Sequence, residues 1–548
     1  MNRILRYILF SLVFLTLGLF IGFRLDNRLP GGELLGSDPE MKKFHEALDF
    51  VRGNYVEAPD EGKLVSDAIK GMMEGLDPHS FYIPAQELAE MNERMEGSFD
   101  GIGVQFNVLD DTIYVEAALA GGPSEKVGIM AGDRIIWVND TLMAGVGITN
   151  TQVMKRLKGP KGTRVRAQIL RRGQPDLLEF VITRDKIPLN SVEYSYMINE
   201  GTGYLRVTSF TETTYDEFRE HLRKLQALGM KSLVLDLRGN PGGYMNMACK
   251  MADEFLPAGK VIVSTDGRIP ESKQEYKATD ALNAFEKGAL VVLIDYGSAS
   301  ASEIVSGAVQ DHDRGLIVGV RSFGKGMVQI QKAFEDGSAV RMVISKYYTP
   351  SGRCIQKPYQ KTAAEYEQEI AERFRSGEIF DESKISFPDS LKYKTASGRT
   401  VYGGGGIYPD VFVADDTTGG SKYFSALRTN DLFRRFTSDY ADRHPDLKTE
   451  YADAGDFVRR FTVTPELVRA FGEYGGAHGT PFSQTDYETS QKYIDNRIKA
   501  FLGRRLFNDD AFYPVIHQTD RVLQEAIRLT PAASELELSG KLPVIAKQ

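Results

Sequence analysis

Residues 289–303 read A-L-V-V-L-I-D-Y-G-S-A-S-A-S-E, and residues 321–329 read R-S-F-G-K-G-M-V-Q. The apolar run Ala289 to Ile294 is short and unbroken, which predicts a strand buried on both faces rather than an alternating, half-exposed one. Behind it, Ile304, Ala308 and Val309 recur at helical spacing, and the pattern predicts a helix over Ala299 to Gln310. A strand feeding a helix through a turn of small residues is the unit of an α/β fold. Ser300 falls at the turn, where the free N–H groups of a helix N-terminus can stabilise a negative oxygen and small neighbours admit a substrate backbone.

A serine hydroxyl needs a base. Lys325 can serve if burial near Phe323 and Val328 favours its neutral form, because a solvated lysine with a pKa of about 10.4 stays charged at neutral pH. His312 is the rival, but twelve residues of helix place it roughly 18 Å from Ser300, so a structural role is expected for it. Spacing alone does not choose among Ser298, Ser300 and Ser302. It also leaves open a close-packed small-residue helix beside a solvated lysine.

Outward from this unit, strands and helices alternate from Gly203 to about Val320. Strands are predicted at Tyr204 to Val207 and Ser232 to Leu237, with helices at Thr214 to Leu228 and Met245 to Phe255. From Ser98 to Asp185 the period changes to that of alternating strands, with a turn at Leu109-Asp110-Asp111 and a short helix around Asn150 to Leu157. Phe44, Leu48 and Val51, then Leu64, Ala68 and Met72, suggest two short helices. Amphipathic helices are predicted at Tyr423 to Tyr440, Thr464 to Tyr474, Tyr487 to Phe507 and Asp520 to Leu529. The charged stretch Ala363 to Phe387 reads as a surface insertion, and the single tryptophan, Trp137, as a core residue.

The chain has 548 residues, 42% of them hydrophobic and 26% charged, with a formal net charge of -8. That length suits three or four domains, and the diffuse acidity gives no sign of nucleic-acid binding. Cys249 and Cys354 are too few for a disulfide framework and are expected as separate thiols. The seven histidines are scattered, so neither metal nor cofactor is expected. Arg3 and Arg6 precede an uncharged run from Tyr7 to Phe23, which reads as a retained signal anchor within residues 1–26.

Several blocks, in order, resemble the carboxy-terminal processing peptidases, or tail-specific proteases. They are N-Y-V-E (54–57), G-L-D-P-H-S (75–80), G-I-G-V (101–104), D-L-R-G-N-P-G-G (236–243), G-S-A-S-A-S-E (297–303), F-G-K-G (323–326) and K-Y-Y-T-P-S-G-R (346–353). The resemblance covers roughly Phe44 to Val413. It implies an α/β fold with a crotonase-like protease core at 186–415, an inserted PDZ domain at 98–185, an N-terminal helical region at 40–97 and a C-terminal helical region at 416–548. It also implies a serine endopeptidase with Ser300 as nucleophile, Lys325 as general base and Gln329 orienting the lysine. Ala301 N–H, with that of Gly243 or Gly242, would form the oxyanion hole, and Gly101, Ile102, Gly103 and Val104 would receive the carboxylate of a substrate tail. In a straight strand four residues span about 13 Å, so a contact from Lys325 to Gln329 requires a bend. The expected partners are proteins with exposed C-terminal tails, the membrane through the anchor, and a second copy or an adaptor. An anchored protease of this kind is expected outside the cytoplasm, in the periplasm where a cell has two membranes. The alternative is an inactive PDZ scaffold at the membrane.

Overall fold

The computed structural model describes residues 38–119, 121–359, 363–414, 416 and 419–543. The expected anchor, residues 1–26, lies outside them. Among the described residues no helix is long and apolar enough to cross a membrane. The chain divides after Leu76. In the first unit, helices Pro39–Asn54 and Glu61–Glu74 start at Asp38 and Asp60, whose carboxylates accept from the backbone of Glu40 and Lys63. Neither helix has a buried residue.

The second unit begins before the expected boundary at 97. Strand Phe81–Ile83 pairs antiparallel with the strand Ala339–Tyr348, so it belongs to a core sheet and not to a helical region. Ser98–Gly101 then pairs with Asp185–Pro188. Between these two paired strands lies the expected PDZ segment, a mostly antiparallel sheet in the order 104–109, 112–118, 134–138, 164–170, 178–183. Asp110 and Asp111 both take positive φ, 47° and 53°, the geometry of a tight hairpin turn between twisted strands. Ile113, Val115, Ile135, Val165 and Ile182 fill the core with Val153 of the helix Asn150–Leu157. Trp137 is only half-buried and stands outside that cluster. The hairpin strand carries the polar partners of a neighbouring region instead.

The strand Ala289–Ile294 is central in a six-stranded sheet ordered 192–197, 202–207, 232–236, 289–294, 316–319, 411–412. All its neighbours but the first pair run parallel. Parallel sheets need cover on both faces. Helices Thr214–Ala227, Met245–Asp253 and Ala301–Asp311 cover one, packing Phe218, Leu222, Ala248, Ile304 and Ala308 on Leu235, Val292 and Ile294. The other is covered from the far end of the chain. Val522, Leu523, Ala526, Ala533 and Leu536 pack on Val234, Val291, Leu293 and Val318.

The expected C-terminal helical region therefore divides in two by what its helices pack against. Residues from Tyr423 to Ala511 form their own aromatic-rich bundle, whereas helices Arg521–Arg528 and Thr530–Ser539 are part of the α/β core. The first predicted helix of the bundle is broken into Lys422–Thr429 and Leu432–Arg443 by Asp431, whose φ is 53°. Arg434 of the bundle donates to Glu116 of the PDZ segment at 2.8 Å.

A correction concerns residues 363–387. Helix Ala363–Ser376 is not a plain surface insertion, because Arg373 is 3% exposed and donates to the carbonyls of Ser322 and Phe323 at 2.7 and 3.2 Å. Cys249 and Cys354 are both free thiols, the first buried and the second half-buried.

Candidate active site

Three serines share the turn, and their surroundings separate them. Ser298 and Ser302 are fully buried. Their hydroxyls donate to main-chain carbonyls, Ser298 to Leu237 at 2.8 Å and Ser302 to Asn240 at 3.0 Å. Ser300 is half-exposed and caps the helix Ala301–Asp311 with φ 54° and ψ -110°. A non-glycine residue held at positive φ stores strain that its surroundings must enforce.

Glu303 supplies much of that restraint. Its carboxylate is fully buried and accepts four hydrogen bonds: Ser300 N at 2.8 Å, Ser322 Oγ at 2.5 Å, Gly324 N at 2.8 Å and Lys325 N at 2.9 Å. Burial pushes the carboxyl upward from its ordinary pKa, while these donors pull it back. Two donors on each oxygen leave no acceptor for a proton, so the site is built for the anion. Tyr347 makes a second bridge: its single hydroxyl proton is shared between Lys325 O, at 2.7 Å, and Ser300 O, at 3.1 Å. Ser300 and Lys325 are thereby held side by side by two shared partners.

Burial, reinforced by the charge of Arg341, lowers the pKa of Lys325 below its ordinary value, with Glu303 and Asp77 opposing. Its amine donates to Gln329 Oε1 at 2.9 Å. The required bend is present: regular strand starts only at Met327, and the register with Ala339–Tyr348 shifts between Val328 and Gln329. Gln329 Nε2 in turn donates to His79 O at 2.5 Å, and Ser80 Oγ accepts from Val343 N at 3.1 Å. His79 and Ser80, at the end of the G-L-D-P-H-S block, are therefore the outer support of the lysine. His79 Nε2 lies 2.9 Å from the Tyr366 hydroxyl. Burial, helped by the charge of Lys325, lowers the His79 pKa to about 4.

The D-L-R-G-N-P-G-G loop reaches the same place. Asn240 O accepts from Ala299 N at 3.0 Å and Asn240 Oδ1 from Gly242 N at 2.9 Å. A Cβ on Gly242, at φ +98°, would lie 2.8 Å from Ser300 Cβ; on Gly243, at φ +145°, it would lie 2.1 Å from Phe210 O. Both positions demand glycine. Gly242 N–H is spent on Asn240, but Gly243 only bridges Phe210 through its neighbours, which turns its own N–H away from that strand. Arg238 anchors the loop from below, donating twice to Asp520, the cap of the helix Arg521–Arg528, at 3.0 and 2.7 Å.

His312 is far from this chemistry in role as well as sequence, with Nε2 2.7 Å from Val261 O. Gly101 to Val104 lie elsewhere, at the start of Val104–Leu109, an edge strand of the PDZ segment. Ile102 O accepts from Ser124 N at 3.0 Å and Ser124 Oγ at 2.6 Å, and Gly103 has φ +71°. Sequence reasoning missed Glu303, Tyr347 and the His79 carbonyl. The serine-x-x-glutamate spacing of a capping box was the available signal for Glu303. Nothing local marks the other two.

Residues 201–363 match Peptidase family S41, residues 90–170 the PDZ domain, residues 30–87 the activating protease CtpB N-terminal domain, and residues 423–508 a family of unknown function. The carboxy-terminal-processing protease of Bartonella bacilliformis is 36% identical over 344 residues, 62% of this chain and 78% of that protein. The carboxy-terminal processing protease CtpA of Bacillus subtilis is 34% identical over 326 residues, 58% of this chain and 67% of that protein. Among solved structures, the photosystem II D1 C-terminal processing protease is 26% identical with TM-score 0.35, covering 69% of this chain and 94% of that one. With an S41 core, a PDZ domain and relatives matched over most of their length, the chain belongs to the carboxy-terminal processing proteases, serine peptidases of family S41.

Proposed function

We propose that this chain is an endopeptidase that binds protein tails at its PDZ domain and cleaves them with Ser300 and Lys325. Ser300 Oγ attacks the scissile carbonyl as its proton passes to neutral Lys325. The tetrahedral oxyanion accepts from Ala301 N–H and Gly243 N–H, and Lys325 then gives its proton to the departing amine. Water hydrolyses the acyl-enzyme with the lysine again as base. Gln329 fixes the amine's direction. The observation that carries this reading is the pair of bridges, Glu303 and Tyr347, that each bond both Ser300 and Lys325.

In the same reading the tail adds as a strand beside Val104–Leu109, its carboxylate at the N–H groups of Gly101 to Val104. The free edge of that strand supports this. The crotonase-like description of the core belongs to this reading too. So does an extracytoplasmic, membrane-anchored placement, supported by the Arg3/Arg6-flanked apolar run and checked by protease accessibility in spheroplasts.

Cleavage of an unfolded protein with an apolar C-terminal tail, followed by mass spectrometry, tests the chemistry. Ser300→Ala and Lys325→Ala are each expected to abolish cleavage while retaining tail binding. Full activity in either variant would refute the assignment. Intact substrate with the unmodified chain, despite measured binding, would favour a scaffold.

A further inference from the structure

The strand Ala339–Tyr348 brings a second cation to the face that holds Lys325. Side chains alternate across a strand, so Arg341 and Val343 point the same way. Their cross-strand partners are Gln331 and Gln329, which sets Arg341 diagonally beside the glutamine that accepts from Lys325. Arg341 Nη2 donates to Gln331 Oε1 at 2.8 Å, and the guanidinium lies 5.9 Å from the centre of the Phe81 ring. Among the described residues no acidic side chain pairs with it.

Burial lowers the pKa of Arg341, and the nearby group that opposes this is Tyr244, which follows Gly243. Arg341 thus stands between Phe81 and Gln331 on the face of the strand that carries Gln329, the acceptor of Lys325. A half-buried guanidinium beside another amine, without a counter-ion, is an unfavourable arrangement for a purely structural residue. Its planar fork suits a carboxylate, which it can meet with two parallel hydrogen bonds. Position indicates the side. From Phe81 the chain continues through helix Ala85–Met95 into Ser98–Gly101, the strand that enters the PDZ segment. In the proposed reading a tail held there and cut at Ser300 leaves its departing, C-terminal portion toward that segment, the side that leads along the chain to Phe81 and its strand partner Arg341.

We propose that Arg341 is a subsite for a substrate carboxylate on the C-terminal side of the scissile bond. The carboxylate comes from an acidic side chain or from the free C-terminus of a short tail. This rests on the Ser300–Lys325 reading.

Two matched peptide pairs separate the sources: aspartate against asparagine two residues beyond the cut, with amidated ends, and a free against an amidated end on a short tail. The unmodified full chain is expected to prefer the charged member of at least one pair in kcat/KM, and that pair identifies the source. Arg341→Gln is expected to erase the preference, roughly tenfold or more for a charge-assisted contact, and Arg341→Lys to keep part of it. Equal losses on charged and neutral members would overturn the subsite, since an effect through Lys325 or the fold is blind to the peptide's charge. Lack of any preference in the unmodified chain would overturn it as well. Absence of cleavage would strike the Ser300–Lys325 reading instead. Binding of the same peptides to Ser300→Ala, with and without Arg341→Gln, then decides the subsite: a charge preference lost with the arginine supports it, and an unchanged one overturns it.

Discussion

Glu303 concentrates more of the site's geometry than any other side chain outside the reacting pair. Glutamine in its place keeps one acceptor oxygen but turns an amide donor toward N–H groups that need an acceptor. Glu303→Gln is expected to lower cleavage by about 100-fold, the scale set by small misplacements of reacting groups, and to cost about 1–3 kcal/mol of stability. Rate assays and denaturant unfolding check the two effects. Lys325 sets the pH dependence. Only its neutral form can take the Ser300 proton, so kcat/KM falls as pH drops through the lysine's pKa. Because burial depresses that pKa, the falling limb is expected below the ordinary value of about 10.4, and a limb at that value would refute a buried base. Ser300 and Lys325 were legible as candidates for a nucleophile and a base, and the order of their motifs along the chain carried the resemblance. Spacing could not separate Ser300 from Ser298 and Ser302, because what distinguishes them is which hydroxyls are consumed by carbonyls of a loop some sixty residues away.

At the scale of elements, apolar period was a good guide wherever a strand or helix buried a continuous face. Ala289–Ile294 and Thr214–Ala227 emerged nearly as read. Charge was a poor guide in Ala363–Ser376. Its arginines and glutamates read as solvated, yet Arg373 reaches inward to cap two carbonyls of the loop that carries Lys325, while Glu369 pairs with both Arg373 and Lys357, at 2.7 and 3.1 Å. Pairing across the fold neutralises such charges, and no local pattern records it. Arg373→Ala is expected to slow cleavage several-fold or more, in line with about 1.5–3 kcal/mol for hydrogen bonds from a charged donor. Tail-peptide binding should be unaffected, because the PDZ strands are remote from that loop in the chain. Calorimetry of peptide binding beside a cleavage assay would reveal a mere folding defect as a loss of both.

Across the whole molecule, the alternation of strands and helices disclosed the α/β core, and the change of period disclosed the PDZ segment. At the end of the chain the helices were legible, but not their division between a bundle of their own and a cover for the sheet. Helix Arg521–Arg528 has amphipathic spacing like that of the bundle helices, and nothing in that spacing says which surface its apolar stripe meets. The doubly buried strand did imply a second cover for the sheet, without naming its source. A chain ending at residue 516 keeps every motif of the candidate site and the bundle but leaves Val234, Val291, Leu293 and Val318 facing water. It is expected to aggregate or lose activity, whereas a soluble monomer with full activity would show that the far face needs no cover. Asp520→Ala, which strips Arg238 of one partner while sparing the apolar contacts, is expected to be soluble but slower.

The clasp between Arg238 and Asp520 also orders events in time. A ribosome delivers Ser300, Lys325 and Gly243 well before Asp520, so a growing chain holds the full set of reacting groups while the sheet beneath them is still bare on one side. The expected consequence is that cutting power arrives only once Asp520 and the helices after it have packed on the sheet. Nascent chains stalled at residue 516 are expected to resist a serine-directed fluorophosphonate that labels the released protein, and equal labelling of both would place the arming step earlier than the last helices.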